Sequence, residues 1–212
     1  MTTQQEALWA GDFGLNYTKR NMVDWRKRVP FWKDIMDRTG ARSVLEIGCN
    51  AGWNLTAIKQ VAPWVGITWG LDVNESALKK ATAAGLTVHQ GTSAEAVENW
   101  VTKEGMSAEL VFTAGVLIHV PPTDLEQMMK DIIALSNHWI LAIEYESEAE
   151  AEVIYRGEKD MLWKRPFGRL YQDMGLHLKY VGSAFKDQGF DDCTVWLLEK
   201  PSPTYTPAIA GA

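Results

Sequence analysis

A short stretch with two glycines has the composition of a loop that holds a ligand. Residues 46–52 read EIGCNAG, and Gly48 and Gly52 would let the backbone turn sharply and approach a ligand where a side chain would collide. The helix expected after Gly52 would point its free N–H groups at the same place. Glycine pairs also occur where only a turn requires them, so the stretch indicates either a binding loop or a simple turn.

Asp72 is the second residue with a chemical interpretation. It follows Gly48 at close to the ~20 residues at which nucleotide-binding sheets place an acid that grips a ribose. A carboxylate accepts a hydrogen bond from each ribose hydroxyl, and each such bond contributes about 1.5–3 kcal/mol. The alternative is a cap for the helix expected near Asn74 and Glu75. The distance from the glycines favours the ribose role.

The loop favours S-adenosylmethionine over a nicotinamide dinucleotide. A dinucleotide site requires G-x-G-x-x-G, whereas residues 48–52 read GCNAG. Glu46 would repel a pyrophosphate but suits a ligand with a cationic amino-acid end. The predicted cofactor is therefore S-adenosylmethionine. Its expected contacts are Glu46, Gly48, Asn50, Gly52, Asp72, Val73, Thr92, Ser93, Ala114 and Gly115.

Strands and helices alternate along the chain in a way that would bring these residues together. Apolar runs predict five strands, at 43–47, 69–73, 86–89, 110–114 and 139–144. Helical spacing predicts helices between them, at 54–61, 75–84 and 125–135. This alternation predicts an α/β fold with a parallel sheet that binds ligands at the carboxyl ends of its strands. Two more strands, at 179–182 and 194–199, are expected as an antiparallel pair at the sheet edge.

Two residues are candidates for the base of a methyl transfer. A hydroxyl that accepts a methyl group must lose its proton, usually to His, Asp or Glu. His119 comes just after the fourth strand, where the acceptor is expected, and Glu144 ends the fifth strand. The alternatives are a histidine packed against the helix that Pro121 and Pro122 would open, and a glutamate that orients a neighbouring arginine.

Basic and aromatic residues are concentrated between residues 154 and 169, which read IYRGEKDMLWKRPFGR. Arginine there would hold a substrate carboxylate or phosphate through two parallel hydrogen bonds. The alternative is a solvated face that balances the glutamates of residues 144–152. Aromatic and basic residues at helical spacing near the N-terminus are further candidates. The expected substrate contacts are Tyr17, Arg20, Tyr145, Tyr155, Arg156, Lys164 and Arg165.

Length and composition limit the classes of protein. The 212 residues fit one domain, expected over 1–200 with a flexible, proline-containing tail at 201–212. Two cysteines make no disulfide framework, and no apolar run approaches the ~20 residues that cross a bilayer. Together with an N-terminus unlike a signal peptide, this predicts a cytoplasmic protein. A net charge of −6 argues against a nucleic-acid partner, and no His/Cys spacing indicates a metal.

The order of these motifs resembles the class I methyltransferases and, more narrowly, the methylases associated with pseudaminic acid biosynthesis. The similar stretches are WAGDFGLNYTKRN (9–21), VLEIGCNAGWNL (44–55), GLDVNESAL (70–78), TAGVLIHVPPTDL (113–125), ILAIEYES (140–147), IYRGEKDMLWKRPFG (154–168) and DDCTVWLLEK (191–200). The resemblance implies a Rossmann-like three-layer sandwich whose mostly parallel seven-stranded sheet has an antiparallel edge strand. It also implies a helical lid over residues 1–40. Asn50 departs from the usual glycine, but asparagine tolerates a left-handed backbone well.

The resemblance also implies a function. The expected activity is methyl transfer from S-adenosylmethionine to a small acidic sugar or glycan precursor of the nonulosonic acid type. Alternatives are a methyltransferase for another small metabolite or for a nucleic acid, and a non-catalytic module that binds the cofactor.

Overall fold

The computed structural model describes residues 4–155 and 160–201. Arg156 and residues 202–212 of the expected tail lie outside the described residues. Within these residues the chain forms a sheet of seven strands. The strands are β1 (Ser43–Ile47), β2 (Ile67–Asp72), β3 (Thr87–Gln90), β4 (Ala108–Ala114), β5 (Ser136–Glu144), β6 (His177–Ala184) and β7 (Cys193–Glu199).

The strand order across the sheet is β3-β2-β1-β4-β5-β7-β6. β1 to β5 pair in parallel, whereas β7 runs antiparallel to both β5 and the outermost strand β6. The order reverses at β1, which has β2 on one side and β4 on the other. The carboxyl end of the sheet therefore has its crevice beside β1. This is the predicted mostly parallel seven-stranded sheet with an antiparallel pair at one edge.

Eight α-helices and one π-helical segment, Val97–Lys103, surround the sheet in the described part of the chain. The α-helices are α1 (Gln4–Ala10), α2 (Asp12–Arg20), α3 (Val29–Thr39), α4 (Trp53–Val61), α5 (Glu75–Ala83), α6 (Ser93–Ala96), α7 (Pro122–Leu135) and α8 (Phe167–Asp173). Short 3-10 turns occur at Trp25–Arg28, Leu117–His119 and Lys186–Gln188. A small antiparallel hairpin pairs Ala151–Glu152 with Trp163–Lys164.

Alternate residues of the central strands face opposite sides of the sheet. In β1, Val44 packs with one buried cluster and Leu45 with another, as the two-residue period of a strand requires. Each cluster contains apolar side chains from the helices on its own side, so the molecule has the three layers that the sequence predicts. Those helical side chains include Trp32 and Ile58 from α3 and α4, and Met129 and Phe167 from α7 and α8.

The predicted strands are correct in their centres and differ at their beginnings. β1 has the predicted bounds, whereas β5 begins at Ser136 and not near residue 139. Asn137 and His138 are exposed, so the first part of β5 is polar. An apolar run therefore detects only the buried part of such a strand.

Candidate active site

A cleft of about 820 Å³ lies at the carboxyl ends of β1, β2 and β4. Its walls are the loops that follow these strands, the loop after β3, and the helices α1 and α2. This position is the reversal point in the strand order, where open α/β sheets bind ligands. The volume is within the ~300–1,000 Å³ typical of small-molecule sites.

The loop between β1 and α4 forms one wall of the cleft. Gly48 has φ +71°, and a Cβ there would lie 2.5 Å from Val116 Cγ2. Asn50 has φ +48°, the left-handed conformation expected of it. Gly52, with φ +77°, caps α4 but does not line the cleft, and a Cβ there would collide with the Leu86 side chain. Gly52 therefore serves the turn, whereas Gly48 and Asn50 face the cleft.

Asp72 lies opposite this loop. Its Oδ2 accepts a hydrogen bond from the Asn50 backbone N–H at 2.7 Å, and its Oδ1 accepts one from the Asn74 N–H at 2.8 Å. The cap of α5 is Asn74, whose side chain accepts from the Ala77 N–H at 3.1 Å. Burial raises the pKa of Asp72, and these backbone donors counteract the rise. Asp72 lines the cleft, and each carboxylate oxygen can accept more than one hydrogen bond.

Glu46 has one engaged and one unpartnered carboxylate oxygen. Its side chain is 3% exposed, and Oε1 accepts a hydrogen bond from Asn54 Nδ2 at 2.6 Å. Oε2 is buried and has no hydrogen-bond partner among the described residues, although Glu46 borders the cleft. Burial raises the pKa of Glu46 to about 8. A cationic donor in the cleft would satisfy this oxygen and stabilise its charge.

The loops after β3 and β4 also contribute to the walls of the cleft. Thr92, Ser93, Ala114 and Gly115 all line it. The Thr92 hydroxyl accepts the Glu95 N–H at the start of α6, and the Ser93 hydroxyl donates to the Asp131 carboxylate at 2.8 Å. Their side chains are therefore already bonded within the protein. Val73 also lines the cleft, next to Asp72.

His119 lies in the turn that follows β4 and borders the cleft. Its Nδ1 is 2.8 Å from the Met161 carbonyl oxygen. Because a carbonyl only accepts hydrogen bonds, Nδ1 carries the proton and Nε2 is the basic nitrogen. The ring packs against Trp9 and Tyr155, with centroids 4.7 and 5.6 Å away. Burial lowers the pKa of His119 to about 4, so the imidazole is neutral at pH 7.

Glu144 and Arg165 lie behind this turn and not in the cleft. Glu144 Oε1 accepts the backbone N–H groups of Val116 and Leu117 at 3.0 and 3.1 Å. Arg165 Nη1 donates to the carbonyl oxygens of Leu117 and Val120 at 3.1 and 2.9 Å. The two side chains are 0% and 1% exposed. Neither one borders the cleft, so the geometry differs from the expected direct roles as base and substrate contact.

The remaining expected substrate contacts divide into two groups. Tyr17 and Arg20, from α2, line the cleft. Tyr145, Tyr155 and Lys164 are not part of its walls. The Lys164 ammonium lies 5.9 Å from the centre of the Tyr145 ring, and Tyr155 packs against His119 as described above. Among the described residues of the segment 154–165, Tyr155 and Met161 contact His119, because the hairpin at Trp163–Lys164 lies against the turn after β4.

Two N-terminal helices cover the cleft. Gln5 Nε2 donates to the His119 carbonyl oxygen at 2.8 Å, and Asn74 Nδ2 donates to the Trp9 carbonyl oxygen at 3.1 Å. α1 is therefore joined to the loops after both β2 and β4. Gly14 allows α2 to approach, since a Cβ there would collide with the Trp9 carbonyl and the Asn74 amide. Of the lid expected over residues 1–40, α1 and α2 lie over the cleft, whereas α3 packs on the sheet.

Comparison with known proteins supports the fold. The sequence matches no protein-family model and no curated protein. The structure of magnesium protoporphyrin IX methyltransferase from Synechocystis PCC 6803 with bound SAH is similar, with a TM-score of 0.67 and 13% identity over 92% of this chain and 98% of that chain. For Burkholderia thailandensis 1,6-didemethyltoxoflavin-N1-methyltransferase, with bound 1,6-didemethyltoxoflavin and S-adenosylhomocysteine, the TM-score is 0.72 at 14% identity, over 95% and 91% of the two chains. Streptomyces venezuelae DesVI gives 0.60 at 14% identity, over 90% and 97%.

The chain has the fold of class I methyltransferases. At these identities the likeness concerns the fold, which confirms the predicted three-layer architecture. The class I methyltransferase fold also explains the position of the cleft, because its sheet order places β1 at the reversal point.

Arg28 and Asn54 are site residues that the sequence did not indicate. Arg28 lines the cleft, donates through Nη1 to Asn54 Oδ1 at 2.7 Å, and through Nη2 to the Gly189 carbonyl at 2.7 Å. The Arg28 charge also counteracts the rise in the pKa of Glu46. Arg28 lies in the basic run RKR at 26–28, which resembles an ordinary solvated surface. Only the fold brings it next to Glu46.

Residues 4–155 and 160–201 contain neither a metal-binding cluster nor a membrane-spanning helix. In these ranges no group of His, Cys, Asp and Glu side chains could hold a metal ion. In the same ranges no helix is long and apolar enough to span a membrane.

Proposed function

We propose that the protein is an S-adenosylmethionine-dependent methyltransferase that acts on a small molecule. The observation that carries the proposal is the unpartnered, buried Oε2 of Glu46 at the wall of a cleft that also contains the Asp72 carboxylate. The pyridinium of a nicotinamide dinucleotide carries no N–H, so that ligand offers Glu46 no charged hydrogen-bond donor, whereas an amino-acid end offers an ammonium.

The proposed contacts follow from the acceptors that each loop presents. When bound, S-adenosylmethionine supplies a methyl group that is activated by its sulfonium. Glu46 Oε2 accepts from an ammonium, and the Asp72 carboxylate accepts from ribose hydroxyls. The loops at Gly48–Asn50, Thr92–Ser93 and Ala114–Gly115 supply backbone groups and a close-fitting surface.

His119 is the proposed base. Its Nε2 is unprotonated and the residue borders the cleft, so we propose that Nε2 takes the proton from a hydroxyl or amine of the acceptor. Alignment of the acceptor is the other contribution, and positioning of this kind can supply about 7–11 kcal/mol. The ring is held from three sides, by Trp9, Tyr155 and the Met161 carbonyl.

For the acceptor we propose a sugar or glycan precursor of the nonulosonic acid type. Its support is the ordered resemblance along the sequence and the exposed Arg20 side chain in the cleft, which suits a carboxylate. Lys164 and Arg165 no longer contribute to this argument, since they lie outside the cleft walls. A cytoplasmic location stays a prediction from the sequence.

The test is transfer of a labelled methyl group from S-adenosylmethionine. Nonulosonic acids, their nucleotide-activated forms, a neutral metabolite pool and an RNA pool are incubated separately with the protein. Label on the acidic sugars supports the proposed acceptor, and label on the metabolite pool alone supports the activity but rejects the acidic sugar. Label only on RNA rejects a small-molecule acceptor. Binding of S-adenosylhomocysteine without any transfer, in wild type and His119→Gln alike, indicates a non-catalytic module.

A further inference from the structure

The turn between β4 and α7 is held from behind by two opposite charges. The backbone N–H groups of Val116 and Leu117 meet the Glu144 carboxylate, and the carbonyl oxygens of Leu117 and Val120 meet the Arg165 guanidinium. The anion thus lies at the donor side of the turn and the cation at its acceptor side. Charge-assisted hydrogen bonds of this kind are stronger than neutral ones.

Both charged groups are almost completely buried. Exposures of 0% for Glu144 and 1% for Arg165 imply a large desolvation cost, which their hydrogen bonds offset. These bonds engage Glu144 Oε1 and Arg165 Nε and Nη1, whereas Glu144 Oε2 and Arg165 Nη2 have no partner among the described residues. Arg165 also pairs through Nε with Glu150 at 2.7 Å. Neither group is among the residues that border the cleft, so neither meets a ligand there.

Arg165 is also linked to His119 through the hairpin that precedes it in the chain. Arg165 directly follows the hairpin strand Trp163–Lys164, and that hairpin brings the Met161 carbonyl to His119 Nδ1. Arg165 therefore joins the turn that bears His119 to the segment that sets the proton position on its ring.

We propose that Glu144 and Arg165 are positioning residues that hold the turn Val116–Val120 so that His119 presents Nε2 to the cleft. The proposal rests on the proposed function for the role of His119. It gives Glu144 a role other than that of a base, and Arg165 a role other than that of a substrate contact.

Three substitutions of Glu144 separate positioning from proton transfer. Glu144→Gln keeps an oxygen that accepts from both N–H groups, but its amide takes up no proton. Glu144→Asp is one methylene shorter, and Glu144→Ala removes the acceptor. A positioning residue is therefore rescued by glutamine, whereas a base is not.

The first readout needs no ligand. In the full-length protein with ¹⁵N-labelled histidine, the His119 signal is identified by its loss in His119→Gln and followed against pH by NMR. In wild type the imidazole titrates near pH 4, since burial lowers the pKa of His119. Trp9, Tyr155 and the Met161 carbonyl surround the ring, and Glu144 and Arg165 reach it only through the turn.

The expected result is a difference between the variants. Glu144→Gln keeps the His119 midpoint within about 0.5 pH unit of wild type, whereas Glu144→Asp, Glu144→Ala and Arg165→Met raise it by about 1 unit or more, toward the ordinary value near 6.5. Ile140→Ala is the matched control, because Ile140 is equally buried on the same strand but does not contact the turn through a hydrogen bond. It lowers stability and leaves the His119 midpoint unchanged.

Two results would overturn the proposal. One is an unchanged His119 midpoint in Glu144→Asp and Arg165→Met, which remain informative if Glu144→Ala does not fold. The other is loss of labelled methyl transfer in Glu144→Gln with a wild-type His119 midpoint, which would make Glu144 the base. If wild type transfers no methyl group at all, the proposed function fails while the NMR titration still decides the positioning role.

Discussion

Glu46 and Glu144 are two fully buried carboxylates near the carboxyl ends of β1 and β5, with only β4 between these strands. Burial raises the pKa of each, to about 8 for Glu46 and about 7 for Glu144. In each of them one oxygen is engaged in hydrogen bonds, and Oε2 has no partner in the described chain. They differ in what they face. Glu46 borders the cleft, whereas Glu144 lies behind a turn, outside the cleft walls, and accepts two backbone N–H groups of that turn.

The difference shows that a perturbed carboxyl group at a strand end is not by itself a catalytic group. Perturbed pKa values concentrate at functional sites, but structural hydrogen-bond networks produce them as well. The position relative to the cleft, together with the partners, decides between the two cases. An unpartnered oxygen at a cleft indicates a ligand, and an oxygen that holds backbone donors indicates support of the local fold.

The largest expected effect is on catalysis by His119, whose turn is held by Glu144. His119→Gln should lower kcat by about 10²- to 10⁴-fold, the usual contribution of a general base, while S-adenosylhomocysteine affinity stays within about threefold of wild type. His138→Gln, at an exposed histidine that bonds Glu199, is the matched control and should change neither quantity. Transfer of labelled methyl groups and titration calorimetry measure the two effects. A normal kcat in His119→Gln would remove the histidine from the mechanism.

The next largest expected effect is on cofactor binding at the cleft, where Glu46 and Asp72 lie. Asp72→Ala should weaken S-adenosylhomocysteine binding by roughly 2–4 kcal/mol, about 30- to 800-fold, because two charge-assisted hydrogen bonds to the ribose are lost. Asp72→Asn keeps one oxygen acceptor and should lose less. Thermal denaturation is measured beside calorimetry, since Asp72 also accepts the N–H groups of Asn50 and Asn74. Unchanged affinity in Asp72→Ala would place the ribose elsewhere.

The sequence predicts those parts of the site that depend on local structure. Gly48 and Asn50 follow a strand and Asp72 ends one, both strands being revealed by their apolar residues, and the parallel sheet brings these strand ends together. The direction in which the Glu144 side chain points was not predictable from local structure. It depends on where the backbone of Val116 and Leu117 lies, and these residues are distant from Glu144 in the sequence.

Arg165 and Arg28 show the same limit for cations. Arg165 resembles a substrate contact because basic and aromatic residues surround it in the sequence, yet the hairpin turns it into the interior. Arg28 resembles a surface residue and reaches the cleft through Asn54 and Gly189. Contacts between segments so far apart in the sequence are a property of the folded chain, which local patterns do not contain.

A smaller effect is the pH dependence of the stability of the ligand-free protein. Both carboxyl groups bind protons more tightly in the folded state than at their ordinary value of 4.5. Between about pH 4.5 and pH 8 the folded state therefore holds protons that the unfolded state has released, and stability falls as pH rises. Glu46→Gln and Glu144→Gln should each reduce this slope and should be more stable than wild type at pH 8, by up to several kcal/mol.

A bound ligand distinguishes the contributions of Glu46 and Glu144 to the pH dependence of stability. Saturating S-adenosylhomocysteine should remove the contribution of Glu46, whose charge then has a partner, and leave that of Glu144. Urea denaturation at a series of pH values, with and without ligand, measures both. A slope that neither substitution changes would show that other groups control it.

Calorimetric titration of S-adenosylhomocysteine into Glu46→Gln and Glu144→Gln at pH 8 tests the difference between the two carboxylates most directly. The expected result is a loss of affinity of about tenfold or more in Glu46→Gln, the weight of one charge-assisted hydrogen bond, and a change of less than about threefold in Glu144→Gln. Equal losses in both variants, or a loss only in Glu144→Gln, would contradict the conclusion that Glu46 serves the ligand and Glu144 serves the fold.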